Sequence, residues 1–129
     1  MVNEKNLTTI IIDDNDMIRE VLRVMLRSDG YDVVGEAADG ETGLELAFRL
    51  RPDIICLDVV MPKVSGIEVL KRIKEKSAKT VVMMVTGSSD RDTVHGALAA
   101  GANGFILKPF NTGKVLDTIE QAVAKAGAQ

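Results

Sequence analysis

The sequence predicts an α/β domain with a doubly wound, five-stranded parallel sheet, and three observations carry that expectation. Short β-branched runs alternate five times with segments of helical period, the pattern of successive βα units. A chain of 129 residues can bury one core and is short for two. Its 46% hydrophobic and 27% charged content is that of a folded globular protein rather than a disordered one.

Each unit can be justified in turn. Thr8 to Ile12 is a buried-strand run, followed by Met17, Ile18, Val21, Leu22, Met25 and Leu26 at helical spacing, with Gly30 as a helix stop. Tyr31 to Val34 is the second strand; its helix turns Leu44, Ala47 and Phe48 inward, and Pro52 closes the connection. Asp53 to Leu57 is the third, leading through Met61-Pro62 to a helix with Ile67, Leu70 and Ile73 on one face. Thr80 to Val85 precedes a helix through Val94, Leu98 and Ala99. Gly104 to Leu107 precedes one through Val115, Leu116, Ile119 and Val123. Residues 1–129 are therefore expected to form one domain, with nothing left over for an effector domain.

Composition excludes several function classes. With 16 Lys+Arg against 19 Asp+Glu and a net charge of −3, no general basic field exists to hold a polyphosphate backbone, so direct nucleic-acid binding is not expected. No stretch approaches the roughly eighteen apolar residues of a membrane span, and the first residues lack the apolar core of a signal peptide. The lone Cys56, inside Ile54-Ile55-Cys56-Leu57, is expected to be a buried strand residue. Together these place the chain in the cytoplasm, away from membranes. His95, the single histidine, is expected on a helix surface, and most of the six methionines in core positions.

In a parallel sheet all strand carboxyl ends share one edge, where open α/β folds bind ligands. Asp13 and Asp14 follow the first strand, Asp58 the third, Thr86 and Gly87 the fourth, and Lys108 and Pro109 the fifth. Residues far apart in sequence would then share one pocket. Like charges about 4 Å apart repel by roughly 4 kcal/mol at an effective dielectric near 20, so three carboxylates need a cation. A hard divalent ion, Mg²⁺ or Mn²⁺, fits oxygen donors of this kind and leaves room for a phosphate oxygen. Lys108 adds a second positive charge, Thr86 a hydroxyl donor, and a carboxylate becomes the nucleophile of a phosphoryl transfer.

The Asp13-Asp14 pair, Asp58-Val59-Val60-Met61-Pro62, Thr86-Gly87, and the segment Gly101-Ala102-Asn103-Gly104-Phe105-Ile106-Leu107-Lys108-Pro109-Phe110 resemble bacterial response-regulator receiver domains, over nearly the whole chain. The resemblance implies a flavodoxin-like three-layer sandwich with strand order 2-1-3-4-5. It implies that Asp58 is the phosphoacceptor, supplied by a sensor histidine kinase, a histidine phosphotransfer protein or a small acyl phosphate. Asp13, Asp14, Asp58 and the backbone carbonyl of Val60 would hold Mg²⁺. Lys108 would pair with the phosphoryl group, Thr86 would hydrogen-bond to it, and Phe105 would turn inward as Thr86 moves. A downstream protein would bind the face made by the fourth helix, fifth strand and fifth helix. Such a domain catalyses its own phosphorylation and dephosphorylation and is not a turnover enzyme. Ser65 stands where many relatives carry Asp, Val64 where Met is frequent, and Phe105 where many chemotaxis members have Tyr. None of these removes an expected ligand. Val60 and Ser88 occupy two positions that in this family help set the lifetime of the aspartyl phosphate.

Three other readings compete. An aspartate-nucleophile phosphatase would carry a second acid two residues after the nucleophile, where this chain has Val60. A flavin or dinucleotide binder would need Gly, Ser or Thr in the loop after the first strand, which is Asp13-Asp14-Asn15-Asp16 instead. A degenerate receiver that only binds proteins would lack part of the acid, Thr and Lys set. Asp13-Asp14-Asn15-Asp16 taken alone could also be no more than helix capping, since Asp and Asn are good N-caps.

Overall fold

Runs such as Ile10-Ile11-Ile12 and Ile54-Ile55-Cys56-Leu57 are apolar at every position, so they are stable only in strands covered on both faces. The computed structural model, which describes residues 6–61, 63–87 and 91–127, places them in such strands. The elements are β1 (Thr8–Ile12), α1 (Asp16–Ser28), β2 (Asp32–Ala37), α2 (Gly40–Leu50), β3 (Ile54–Asp58), α3 (Gly66–Lys76), β4 (Val81–Thr86), α4 (Arg91–Ala99), β5 (Gly104–Leu107) and α5 (Thr112–Gly127). The strands form one parallel sheet in the order β2-β1-β3-β4-β5. This is the flavodoxin-like order expected, reversing direction between β1 and β3.

Successive strand residues point to opposite faces, which divides the core in two. Ile10, Ile12, Ile55, Leu57, Val82 and Met84 pack with Leu44 of α2, Val69, Leu70 and Ile73 of α3, and Ala97 of α4. Ile11, Ile54, Cys56, Met83, Val85 and Ile106 pack with Leu22 and Leu26 of α1 and with Val115, Ile119 and Ala122 of α5. Cys56 is buried as expected, and burial pushes its thiol up to about 12. At the end of α1, Gly30 has φ 93°, its amide donates to Arg27 O, and Tyr31 N donates to Leu26 O. These two bonds are a Schellman stop, for which glycine's freedom at positive φ is suited. Among the described residues no helix is long and apolar enough to cross a membrane.

Several local expectations need correction. The second strand is not Tyr31 to Val34 but runs to Ala37, because β1 continues to Ile12 opposite Ala37 after a register shift between Thr9 and Ile10. The third strand begins at Ile54, since the side chain of Asp53 accepts from Thr8 N (2.9 Å) and clamps the strand entry. The fourth begins at Val81, with Thr80 N bonded to Ser77 O in the preceding turn. Phe48 is 39% exposed rather than inward, with the Lys76 ammonium 5.3 Å from its ring centroid. In α4 the inward residue is Ala97, while Leu98 is 51% exposed. Met17, in the first turn of α1, is exposed too. Pro62, Ser88 and the N-terminal residues 1–5 lie outside the described residues.

Gly96 in the interior of α4 has no packing reason to be glycine, because a Cβ there would meet nothing within 4 Å. Gly96→Ala is expected to raise stability by about 1 kcal/mol, measured as a higher urea midpoint at an unchanged m-value. A lower midpoint would mean that the helix needs this glycine for another reason.

Candidate functional site

The carboxyl ends of β1, β3, β4 and β5 meet at one edge, and the chain direction there determines which side chains converge. Asp13 directly follows β1; its amide donates to Ala37 O (3.0 Å), so the residue is held at the sheet edge and buried. Helix capping does not explain it. The N-cap of α1 is Asn15, whose side chain accepts from Ile18 N (3.0 Å), and Asp16 supplies the acid of the first turn. Asp13 Oδ1 accepts from Asn15 N at 2.9 Å, and Asp14 is left exposed beside it. Asp58 is the last residue of β3 and is also buried.

One carboxylate oxygen from each of Asp13, Asp14 and Asp58 lies within 4.8 Å of the other two. Lys108, just past β5, places its ammonium 3.1 Å from Asp13 Oδ2 and 3.7 Å from Asp58 Oδ2. Asp13 Oδ2 is thereby held in an ion pair with the ammonium. Burial first, and the Asp13 carboxylate second, push the Asp58 carboxyl up to about 6; Lys108 and the Val60 amide oppose them. Three acids against one lysine leave excess negative charge in a sheltered pocket. The three acids offer only oxygen donors, the set a hard divalent cation takes. The residues therefore fit Mg²⁺, or Mn²⁺ in its place.

The other expected residues are arranged around this cluster. Val60 follows Asp58 by two positions, its amide donating a long bond to Asp58 Oδ1 (3.4 Å) and its side chain 72% exposed. Thr86 ends β4 and is buried; its carbonyl accepts from Lys108 N (2.9 Å), so backbone couples the two residues. Gly87 is exposed, and a Cβ there would meet nothing within 4 Å among the described residues. Phe105 pairs in register with Met84 and is partly buried against the core on the α2, α3 and α4 side. With Val94, Leu107, Pro109, Asn111 and Lys114 it lines an open groove of about 530 Å³ between α4, β5 and α5. His95 is exposed on α4.

Sequence reasoning missed residues that shape the pocket from behind. Gly66 opens α3, donates its amide to Val59 O (2.8 Å), and comes so close that a Cβ would stand 2.0 Å from Asp58 O. The signal available for that turn was Ser65-x-x-Glu68, a capping box, and Ser65 Oγ does accept from Glu68 N. Ser is a good N-cap, and Ser65 caps α3. Arg19 donates to the Asp13 carbonyl (2.6 Å). Its aim depends also on Glu36, which reaches it from β2, and that pairing is fixed only by the sheet register. At the opposite edge Lys74 donates to Thr80 O and Asn103 Oδ1, tying α3 to the entry of β5.

Residues 9–120 match the family model described as the response regulator receiver domain. The chain is 40% identical over 116 residues to the transcriptional regulatory protein PdtaR of Mycobacterium tuberculosis, covering 90% of this chain and 56% of that protein. It is 38% identical over 125 residues to the nitrate/nitrite response regulator NarL of Escherichia coli K12, covering 96% of this chain and 58% of the relative. It thus spans little more than half the length of these two proteins. Among solved structures, a CheX–CheY–BeF₃–Mg²⁺ complex from Borrelia burgdorferi has a TM-score of 0.86 at 31% identity, covering 89% of this chain and 87% of that one. A CheY-like receiver domain from Methanospirillum hungatei has a TM-score of 0.89 at 25% identity, covering 95% and 97%. The sheet order, the acid cluster under a lysine at its carboxyl edge, and a family match spanning the five βα units thus agree that this chain belongs to the receiver domains of two-component response regulators.

Proposed function

We propose that Asp58 accepts a phosphoryl group and that the protein transmits a signal by changing the face formed by α4, β5 and α5. The observation that carries this reading is the Lys108 ammonium lying 3.1 and 3.7 Å from Asp13 and Asp58 inside a cluster of three carboxylates. An acid cluster of this kind suits phosphoryl transfer, where positioning and charge neutralisation do most of the work.

Asp13, Asp14 and Asp58, with the backbone carbonyl of Val60, would hold Mg²⁺ or Mn²⁺, which when bound supplies positive charge to the phosphoryl oxygens. An Asp58 carboxylate oxygen attacks phosphorus and forms a P–O bond. The P–N bond of a donor phosphohistidine, or the P–O bond of an acyl phosphate, breaks, and its electron pair leaves with the imidazole nitrogen or the carboxylate. The Lys108 ammonium then turns from Asp58 to the new phosphoryl oxygens, and the Thr86 hydroxyl donates to one of them. Because the Thr86 carbonyl is bonded to Lys108 N, movement of Thr86 is felt along β5, where Phe105 borders the groove. Hydrolysis of the acyl phosphate resets the domain, so it catalyses only its own modification. The phosphodonor is a sensor histidine kinase or a histidine phosphotransfer protein, and a downstream protein binds at the groove. The Borrelia CheY chain, solved in a complex with CheX, BeF₃ and Mg²⁺, supports a Mg²⁺-bearing site in a fold of this kind.

Incubation with Mg²⁺ and acetyl phosphate is expected to add one phosphoryl group to the wild-type protein, seen by intact mass or a phosphate-affinity gel. Asp58→Asn should show none. Equal labelling of that variant would refute the assignment, and steady release of phosphate from phosphomonoesters would favour a phosphatase instead.

A further inference from the structure

The acid cluster has a fixed guanidinium behind it. Arg19 of α1 donates through Nη1 to the backbone carbonyl of Asp13 (2.6 Å). Its Nη2 pairs with Asp16, and its Nε lies 3.5 Å from Glu36 Oε1. The other Glu36 oxygen accepts from Arg23 Nη1 at 2.5 Å. Arg19 is mostly buried, with 16% of its side chain exposed. Glu36 stands opposite Ile11 in the β1–β2 register, so β2 delivers it beside α1, next to the end of β1.

We propose that Arg19 is a positioning residue for the acid cluster: it fixes the Asp13–Asp14 peptide in the orientation that binds a divalent cation, and Glu36 with Arg23 keeps its fork aimed. This rests on the reading that Asp13, Asp14 and Asp58 hold such a cation. Asp13 lies one residue past β1, where the strand's regular pairing has ended. Its amide and one carboxylate oxygen are tied to Ala37 O and Asn15 N, and the carbonyl is tied by Arg19. The plane of the Asp13–Asp14 peptide is thereby set, and rotating it would swing both carboxylates. Without Arg19 a part-buried carbonyl loses its donor and the peptide turns toward water. Partners that orient ligands from behind are worth about 10- to 100-fold in metal affinity.

Charge alone predicts the opposite sign. Arg19 is a cation held against the backbone of an acid cluster, so removing it as a mere charge would tighten binding of Mg²⁺. The test is calorimetric or NMR titration of Mg²⁺ into wild type, Arg19→Gln, Arg19→Lys, Glu36→Gln and Asp13→Asn, with thermal unfolding of each metal-free variant. The expected result is a Kd raised about tenfold in Arg19→Gln, with smaller rises in Arg19→Lys and Glu36→Gln. Arg19→Lys keeps the charge but not the fork, so it decides the matter if Arg19→Gln fails to fold. An unchanged or lowered Kd in the Arg19 variants, beside a weakened Asp13→Asn, overturns the positioning role and leaves the metal site standing. If wild type binds no Mg²⁺, or Asp13→Asn binds it normally, the metal-site reading falls and the proposal falls with it.

Discussion

Gly66→Ala is expected to cost about 3 kcal/mol of stability, at the upper end of what overpacking costs, and to abolish phosphorylation of whatever protein still folds. The added Cβ would stand 2.0 Å from Asp58 O, 2.7 Å from Val59 Cα and 2.9 Å from the Asp58 carbonyl carbon. All three are backbone atoms, so no flexible side-chain end can yield. The bond from Gly66 N to Val59 O, 2.8 Å long, pins the two segments together. Either α3 moves off the sheet or the end of β3 bends, and the second outcome carries Asp58 away from Lys108 and Asp13. Urea unfolding gives the first quantity, and labelling by acetyl phosphate the second. A variant as stable as wild type, with full labelling, would show that this close approach is not needed.

Asp58→Asn is expected to stabilise the metal-free protein near pH 7.5 while removing its function. The Asp58 carboxyl is raised from 3.8 to about 6, chiefly by burial and then by Asp13. Between those values the native state holds a proton that the unfolded chain has released, so stability falls as pH rises through the window. Above about pH 6 the full cost of the buried charge is present. A shift of this size in a fully shielded group is worth about 3 kcal/mol; beside an exposed Asp14, where solvent screens the site, about half of that is expected. The stability difference between Asp58→Asn and wild type, in chelator, should therefore be about 1–2 kcal/mol at pH 7.5 and shrink toward pH 5. Mg²⁺ should narrow it at pH 7.5, because cation binding stabilises only the wild-type pocket. A difference that is independent of pH would mean that Asp58 ionises normally.

Both effects come from groups of one kind, placed against their own preference so that a reactive edge can exist. Like-charged carboxylates are crowded together, and a helix start is pressed against a strand end. Gly66 and Arg19 supply the geometry; Lys108 supplies part of the compensating charge. Asp13, which after burial is the second cause of the penalty on Asp58 ionisation, is also one of the acids that suit the pocket to a cation.

Much of the fold was legible because its signals are local. Ile10 to Ile12, Ile54 to Leu57 and Val81 to Val85 are continuous apolar runs, and α1, α3 and α5 repeat apolar residues at helical spacing. Once the strands are parallel, Asp13, Asp58, Thr86 and Lys108 must fall on a common edge, which is how residues 95 positions apart could be grouped from the sequence (108 − 13 = 95). The extent of β2 was hidden because Gly35 and Glu36 are poor strand formers, and pairing with β1 overrides that preference. The facing of Phe48 and Leu98 was hidden because a helix shows its inward side only once its neighbour is known.

The sequence by itself determined the order of elements, the burial of the central strands, and the residues that collect at the sheet's carboxyl edge, since each depends on local period and chain direction. Only the tertiary structure decided that the Lys108 ammonium lies between Asp13 and Asp58, that Gly66 touches the Asp58 backbone, and that Arg19 holds the Asp13 carbonyl with Glu36 behind it. Those contacts depend on how β1, β2, β3, β5, α1 and α3 are placed against one another, and no residue pattern encodes distance until the sheet register and the helix positions are fixed.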